Sequence, residues 1–377
     1  MKVAIVETGG WGGIAHYAFN LCNALSECGA EPWLLTNVRY ELGELPRAFR
    51  VERCFDGRHG YPRAAGRLLR HLAALGPDVV HVQSLLSTRF DGWLWPLVRR
   101  RRPLVGTVHN VRSHENVRWE DWTWWRVLRA ADAVVVHTQE AAALAARRLG
   151  PAARIKVIHH GDYGFFAPGG GVDRARARRR LGLAAGGRLV LAFGAIRPYK
   201  GILELIGAWA AVRARHPDAS LVIVGPLLVG SEAAYHRAIE GAGVADAVTF
   251  RPTYVPHAEV ALYFGAADVA VYNYREVTDS GSLRIACSLG TPVVATAVGA
   301  FREFLTDGVS ARLVPPGDAA ALAAALGGVL EDPAGAARMA AAARDLVTAR
   351  WSWAVSAQAT LELYRTVVRE RAGDRTG

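Results

Sequence analysis

The chain has 377 residues, 51% of them hydrophobic, which is enough for two buried cores, and a formal net charge of +11. Its four cysteines, Cys22, Cys28, Cys54 and Cys287, show neither metal-ligand spacing nor a disulfide framework, which fits a reducing cytoplasm. No apolar run reaches the length of a membrane span, and no zinc-finger spacing, helix-turn-helix pattern or aromatic-basic interleaving accompanies the charge, so nucleic acid is set aside as a partner.

In the first half, short β-rich runs alternate with helices rich in alanine, leucine and arginine. Residues 3–6 read as the first strand; the run breaks at Gly9, too soon for a secretory signal. A helix is expected at 17–28, a strand at 33–36, and a helix at 63–75 that stops at Gly76-Pro77. Further strands are expected at 79–82, 104–108, 133–137 and 155–159, with helices at 91–98, 123–130 and 140–149. These runs are apolar on both faces, the mark of a parallel sheet covered by helices. The glycine- and charge-rich stretch 167–187 reads as a linker holding a short helix.

The alternation then restarts, with strands at 189–193, 221–224, 248–250, 269–272, 293–296 and 312–314 and helices at 203–215, 233–240 and 257–265. A tail helix is expected at 351–369. The pattern predicts an α/β protein of two domains facing across a cleft, 1–166 and 188–350, followed by a C-terminal helix and tail, 351–377.

Four stretches carry candidate chemistry. In VLAFGAIRPYKG, Arg197 and Lys200 follow a strand directly, the place where open α/β sheets bind ligands, and a mobile lysine with a fork-shaped arginine suits a phosphate. In YNYREVTDSGSLRIACSLGTPVVAT, Asp279 and Ser280 cap a helix whose first amides, at Gly281, Ser282 and Leu283, form an anion site that needs no metal. In ETGGWGGIAHY, four glycines stand between strand and helix without the dinucleotide spacing, and His16 and Tyr17 either face a ligand or cap the helix. In VGTVHNVRSHE, His109 ends a strand and suits a hydrogen bond to a polar substrate group; His114 and Glu115 follow, but HExxH is absent and no metal ligand set is expected. The tryptophans at 119, 122, 124 and 125 fit core packing, an acceptor site or lipid. The arginine blocks at 99–102 and 175–180 fit solvated helix ends or anionic lipid heads.

On these residues the chain resembles the retaining, nucleotide-sugar-dependent glycosyltransferases of the large bacterial group with two Rossmann-like domains (GT-B; glycosyl transferases group 1, family 4-like). The resemblance runs from the glycine loop to the helix at Trp351, and GTPVVAT at 290–296 is its strongest string. It implies a C-terminal helix that crosses back to the N-terminal domain. It also implies a glycine loop at Gly9, Gly10, Gly12 and Gly13, of which Gly12 and Gly13 meet the donor. His109 is placed on the transferred sugar, Arg197 and Lys200 on the diphosphate, and Ser280, Gly281, Ser282 and Leu283 beside the pyrophosphate. Two features of the family pattern, the paired glutamates and the glycine-arginine step, are not kept. The second glutamate position is Ile285 and the first is Val277, with Glu276 beside it; Ala195 follows the loop glycine, and Arg197 comes two residues later.

The implied activity is transfer of a hexose from a nucleoside diphosphate sugar, GDP-mannose or a UDP-sugar, to a hydroxyl of a glycan, lipid-linked or small-molecule acceptor. No permanent cofactor and no metal are expected. The implied setting is the cytoplasm, with peripheral contact to anionic membrane as a further partner. A nucleotide-sugar 2-epimerase and a non-catalytic nucleotide-sugar-binding protein are the alternatives on the same architecture.

Overall fold

A computed structural model describes residues 1–56, 60–109 and 118–373. The chain divides into two compact units, Met1–Gly161 with Trp351–Gly377, and Asp162–Arg350.

The first unit begins with β1 (Lys2–Val6), α1 (Gly12–Glu27), β2 (Glu31–Asn37), β3 (Arg50–Phe55), α2 (Tyr61–Leu75), β4 (Val79–Val82) and α3 (Asp91–Arg101). It continues through β5 (Leu104–Val108), α4 (Arg118–Ala130), β6 (Ala133–Val136), α5 (Gln139–Leu149) and β7 (Ile155–Val157). The seven strands form one parallel sheet in the order β3-β2-β1-β4-β5-β6-β7. Val79, Val80 and Val82 on β4 and Leu104 and Val105 on β5 are fully buried, which is why these strands read as unbroken apolar runs.

The second unit holds α6 (Arg174–Leu181), β8 (Arg188–Phe193), α7 (Ile202–Arg215), β9 (Ala219–Val224), α8 (Glu232–Gly241), β10 (Val248–Arg251), α9 (His257–Ala266) and β11 (Val269–Tyr272). After them come α10 (Gly281–Leu289), β12 (Val293–Thr296), α11 (Gly299–Phe304), β13 (Arg312–Val314), α12 (Ala319–Glu331) and α13 (Pro333–Arg350). Its parallel sheet runs β10-β9-β8-β11-β12-β13, so the strand order reverses between β8 and β11. The core is built on Trp209 of α7, fully buried among Ile206, Leu221 and Ile223. Burial of one such side chain is worth about 2–3 kcal/mol.

The last helix, α14 (Trp353–Gly373), packs on α1 and so returns the chain to the first unit, as the resemblance implies. Tyr364 is buried there and contacts His81 Nδ1 at 2.5 Å.

Several boundaries differ from the sequence reading. The units divide after Gly161 rather than after residue 166, because Tyr163 and Phe166 are buried and the Tyr163 amide donates to Ser288 Oγ at 2.8 Å. The stretch expected as a linker, 167–187, is part of the second unit: α6 packs on α9. Arg178, from the arginine block, is buried and donates to the Ala266 and Gly187 carbonyls and to Asp268. The first helix starts at Gly12, five residues before the expected start. The edge strand β3 was not expected, since Arg50, Glu52 and Arg53 break its apolar pattern, as charges on edge strands do.

Candidate active site

The connection that leaves β8 carries the first cluster. Gly194 follows the strand with φ +106°, and a short 3₁₀ turn spans Pro198–Lys200. The turn ends at Gly201, whose φ is +63°; a β-carbon there would come within 2.1 Å of the Asn273 carbonyl oxygen. Only glycine lets this loop lie against the one that follows β11. The two loops are joined by the Arg275 amide donating to the Tyr199 carbonyl at 2.7 Å and by Asn273 Nδ2 donating to the Gly201 carbonyl at 3.0 Å. Outside them, Arg275 pairs with Glu204.

Lys200 is buried in this junction. Its ammonium lies 5.2 Å from the centroid of the Tyr274 ring and 3.1 Å from where a β-carbon on Gly194 would sit, a point that Ser282 Cβ approaches to 3.6 Å. Among the described residues no carboxylate pairs with it. Burial lowers its pKa from 10.5, Tyr199 acts the other way, and the neighbouring Arg197 cation lowers it further. Arg197 is half-buried and holds extended backbone at the start of the 3₁₀ turn.

The second cluster is the start of α10. Ser280 is its cap, with Oγ accepting from the Leu283 amide at 3.3 Å, so the Leu283 amide expected at an anion serves the cap instead. The amides of Gly281 and Ser282 have no acceptor among the described residues and carry the positive end of the helix. Tyr272 donates to the Ser282 carbonyl at 2.6 Å, and Tyr274 Oη lies 3.5 Å from Ser282 Oγ. Burial pushes the Tyr274 hydroxyl up to about 12, which keeps it a donor. Beneath the loop, Arg284 and Asp279 form a buried ion pair at 3.2 Å, their side chains 2% and 7% exposed, and the guanidinium stacks 4.0 Å from the Phe304 ring centroid. Lys200 and the start of α10 therefore lie together at the carboxyl ends of β8 and β11, where the strand order reverses, and Arg197 stands near Lys200 on the same loop. That is the position at which doubly wound sheets bind ligands.

Other expected site residues are placed differently. Glu276 is exposed on the loop after β11, close enough to Tyr199 for its charge to raise that phenol's pKa. Ile285 and Val277 are both buried apolar side chains, so no carboxylate stands at either departing position. In the glycine loop, Glu7 accepts from the amides of Gly9 and Gly10 at 2.8 and 2.9 Å, and Glu41 accepts from the Gly12 amide at 2.7 Å. Three amides of the loop are thus held by the chain's own carboxylates. Burial raises the pKa of Glu7, against the hydrogen bonds from Gly10, Thr36 and Gly9. Glu41 also meets His16 Nε2 at 2.8 Å. Gly12 and Gly13 have open space where a β-carbon would stand.

His109 stands directly after β5, as expected, but both ring nitrogens face protein partners: Nε2 meets Gln83 Oε1 at 2.9 Å and Nδ1 meets His137 Nε2 at 3.2 Å. His114 and Glu115 lie outside the described residues, as does the side chain of Trp119. Trp125 is buried, whereas Trp122 is 42% exposed and lies 5.4 Å from the Arg126 guanidinium. Sequence reasoning missed Tyr274, the Asp279–Arg284 pair and the carboxylates of Glu7 and Glu41. The aromatic after the β11 strand and the acid-arginine spacing at 279 and 284 were the available signals.

The profile described as "Glycosyl transferases group 1" matches residues 173–346, and that described as "Glycosyltransferase Family 4" matches residues 11–161. A D-inositol 3-phosphate glycosyltransferase of Nocardia farcinica is 33% identical over 318 residues, 80% of this chain and 69% of that one. Sucrose-phosphate synthase from Thermosynechococcus elongatus superposes with a TM-score of 0.78 at 25% identity, covering 98% of this chain and 100% of the other. Anabaena HepE, solved in complex with UDP-glucose, superposes with a TM-score of 0.77 at 22% identity, covering 96% and 99%. Fold and sequence together define a glycosyltransferase with the two parallel-sheet Rossmann-like domains of the GT-B class. The chain belongs to the glycosyl transferases of group 1.

Proposed function

We propose that this enzyme transfers a hexose from a nucleoside diphosphate sugar to a hydroxyl acceptor, with retention of configuration and without a divalent ion on the diphosphate. The observation that carries the reading is Lys200: a buried ammonium with no carboxylate partner among the described residues, beside two helix-start amides. A buried charge without a partner is costly, and an anionic ligand is the natural complement. The UDP-glucose complex of Anabaena HepE supports a nucleotide sugar as donor. The relative named for D-inositol 3-phosphate supports a small hydroxyl-rich acceptor.

Departure of the nucleoside diphosphate builds negative charge on its β-phosphate. Arg197, Lys200 and the amides of Gly281 and Ser282 meet that charge in place of a metal ion, and loss of one such preorganised group costs about 10²–10³ in rate. Retention implies attack on the face the phosphate leaves, with the phosphate accepting the acceptor's proton. Ser280 caps the helix that presents these amides. Gly12 and Gly13 leave room for close approach of the donor, and His109 is the residue proposed to meet the transferred sugar. Ile285 offers no acceptor to the ribose, and Glu276, beside the first glutamate position, is the carboxylate proposed near the donor sugar.

The test is to incubate purified protein with each common nucleotide sugar, without acceptor, and follow products by mass. Slow release of one nucleoside diphosphate, abolished in Lys200→Ala, supports the reading and names base and sugar together. An epimerised sugar nucleotide would show isomerase chemistry instead.

A further inference from the structure

Three neighbouring strands of the first unit each lead into a histidine at the carboxyl end: His109 after β5, His137 after β6 and His160 after β7. One ring nitrogen from each lies within 4.8 Å of the other two. The sequence reading expected no metal ligand set around His109; sheet topology supplies two further histidines from 28 and 51 positions away. Tyr17 of α1 lies edge-on to two of the rings, 4.9 Å from His109 and 4.6 Å from His160 between centroids. His160 is fixed from the other side by α14. The Trp353 ring fits only because residue 161 is glycine, and Ser356 Oγ donates to the His159 carbonyl at 2.7 Å.

The hydrogen bonds decide which nitrogens face inward. His137 Nδ1 lies 2.9 Å from the Ile158 carbonyl, so it carries the proton and leaves Nε2 as a lone pair. His109 Nε2 lies 2.9 Å from Gln83 Oε1, so it too is the protonated nitrogen and Nδ1 is bare. His109 Nδ1 and His137 Nε2 face each other at 3.2 Å, and in this tautomer both offer a lone pair to the space between the rings.

A carbonyl behind one ring and an amide oxygen behind the next is the outer arrangement that orients metal-binding histidines. Nitrogens about 2.1 Å from a tetrahedral ion stand roughly 3.4 Å apart, close to the observed pair. His160 completes the set, with a ring nitrogen within 4.8 Å of the other two. Three imidazoles without a carboxylate select zinc-like transition metals over magnesium or calcium.

We propose that His109, His137 and His160 bind one divalent transition-metal ion of the zinc type. The site lies in the first unit and places no demand on the diphosphate loops of the second. To test it, the full chain is stripped with EDTA, exchanged into metal-free buffer and titrated with CoCl₂, followed by visible absorption, and with ZnCl₂ by calorimetry. One equivalent of either ion is expected, with the intense visible band of low-coordinate Co²⁺. Affinity should fall about 100-fold or more in His137→Gln and in His160→Gln. Circular dichroism melting of each variant separates lost ligation from lost folding. Absence of a saturable equivalent in the wild type overturns the proposal and leaves a dry hydrogen-bonded histidine chain. Equal binding by the His137→Gln/His160→Gln double variant, placing the ion elsewhere, overturns it as well.

Discussion

Lys200 Nζ lies 3.1 Å from the point that a β-carbon on Gly194 would occupy. A side chain at 194 would crowd the ammonium in the junction of the two loops. Gly194→Ala should displace the lysine and strain a backbone with φ +106°. Nucleoside diphosphate affinity should drop about tenfold or more, and stability by about 1–3 kcal/mol. Calorimetric titration and thermal melting check the two effects separately; unchanged affinity would show that the ammonium does not need this space.

A buried ammonium without a carboxylate is kept for binding, at a cost to the fold. Lys200→Met should therefore raise the melting temperature while abolishing donor turnover. The sign with pH follows from the lowered pKa of Lys200. The folded state resists protonation more than the unfolded state, so the cost is fully present at neutral pH. It is relieved as pH rises through the lowered pKa toward 10.5. The melting gap between variant and wild type should narrow over that range, and a gap independent of pH would contradict the assignment.

Acid should act on the first unit through His81. This side chain is fully buried between Tyr364 and Thr107, and burial, with a smaller contribution from His137, lowers its pKa from 6.5 to about 3. Below pH 6.5 the unfolded chain takes up a proton that the native chain refuses. Stability therefore falls as pH drops from 6.5 toward 3, by roughly 4–5 kcal/mol over the full range. His81→Gln should flatten the melting temperature against pH between 7 and 4, whatever it does to stability at neutral pH. An unchanged slope would rule out His81 as the source.

Much of this was legible in the chain itself, and the exceptions have physical reasons. β4, β5 and β11 read plainly because both faces of a central parallel strand are apolar. β3 did not, because an edge strand needs only one apolar end and here carries Arg50, Glu52 and Arg53. No helix was read between residues 314 and 351, where α12 and α13 lie; their alanine-rich faces differ too little in polarity to mark a buried side. Arg197, Lys200 and the start of α10 were visible because each follows a strand in sequence. The partners that shape them were not: Tyr274 reaches Lys200, and Glu41 reaches Gly12, only through the tertiary fold. His137 and His160 escaped notice because nearness across neighbouring strands leaves no trace in local spacing.

The central claim is that Lys200 holds a diphosphate without a metal ion. The most direct measurement is calorimetric titration of wild type and Lys200→Ala with UDP and GDP, each in EDTA and again in Mg²⁺. The account predicts that one nucleotide binds the wild type equally well in both buffers and binds the variant about 100-fold more weakly, or beyond detection, in both. Binding that requires Mg²⁺, or that survives unchanged in Lys200→Ala, would contradict it.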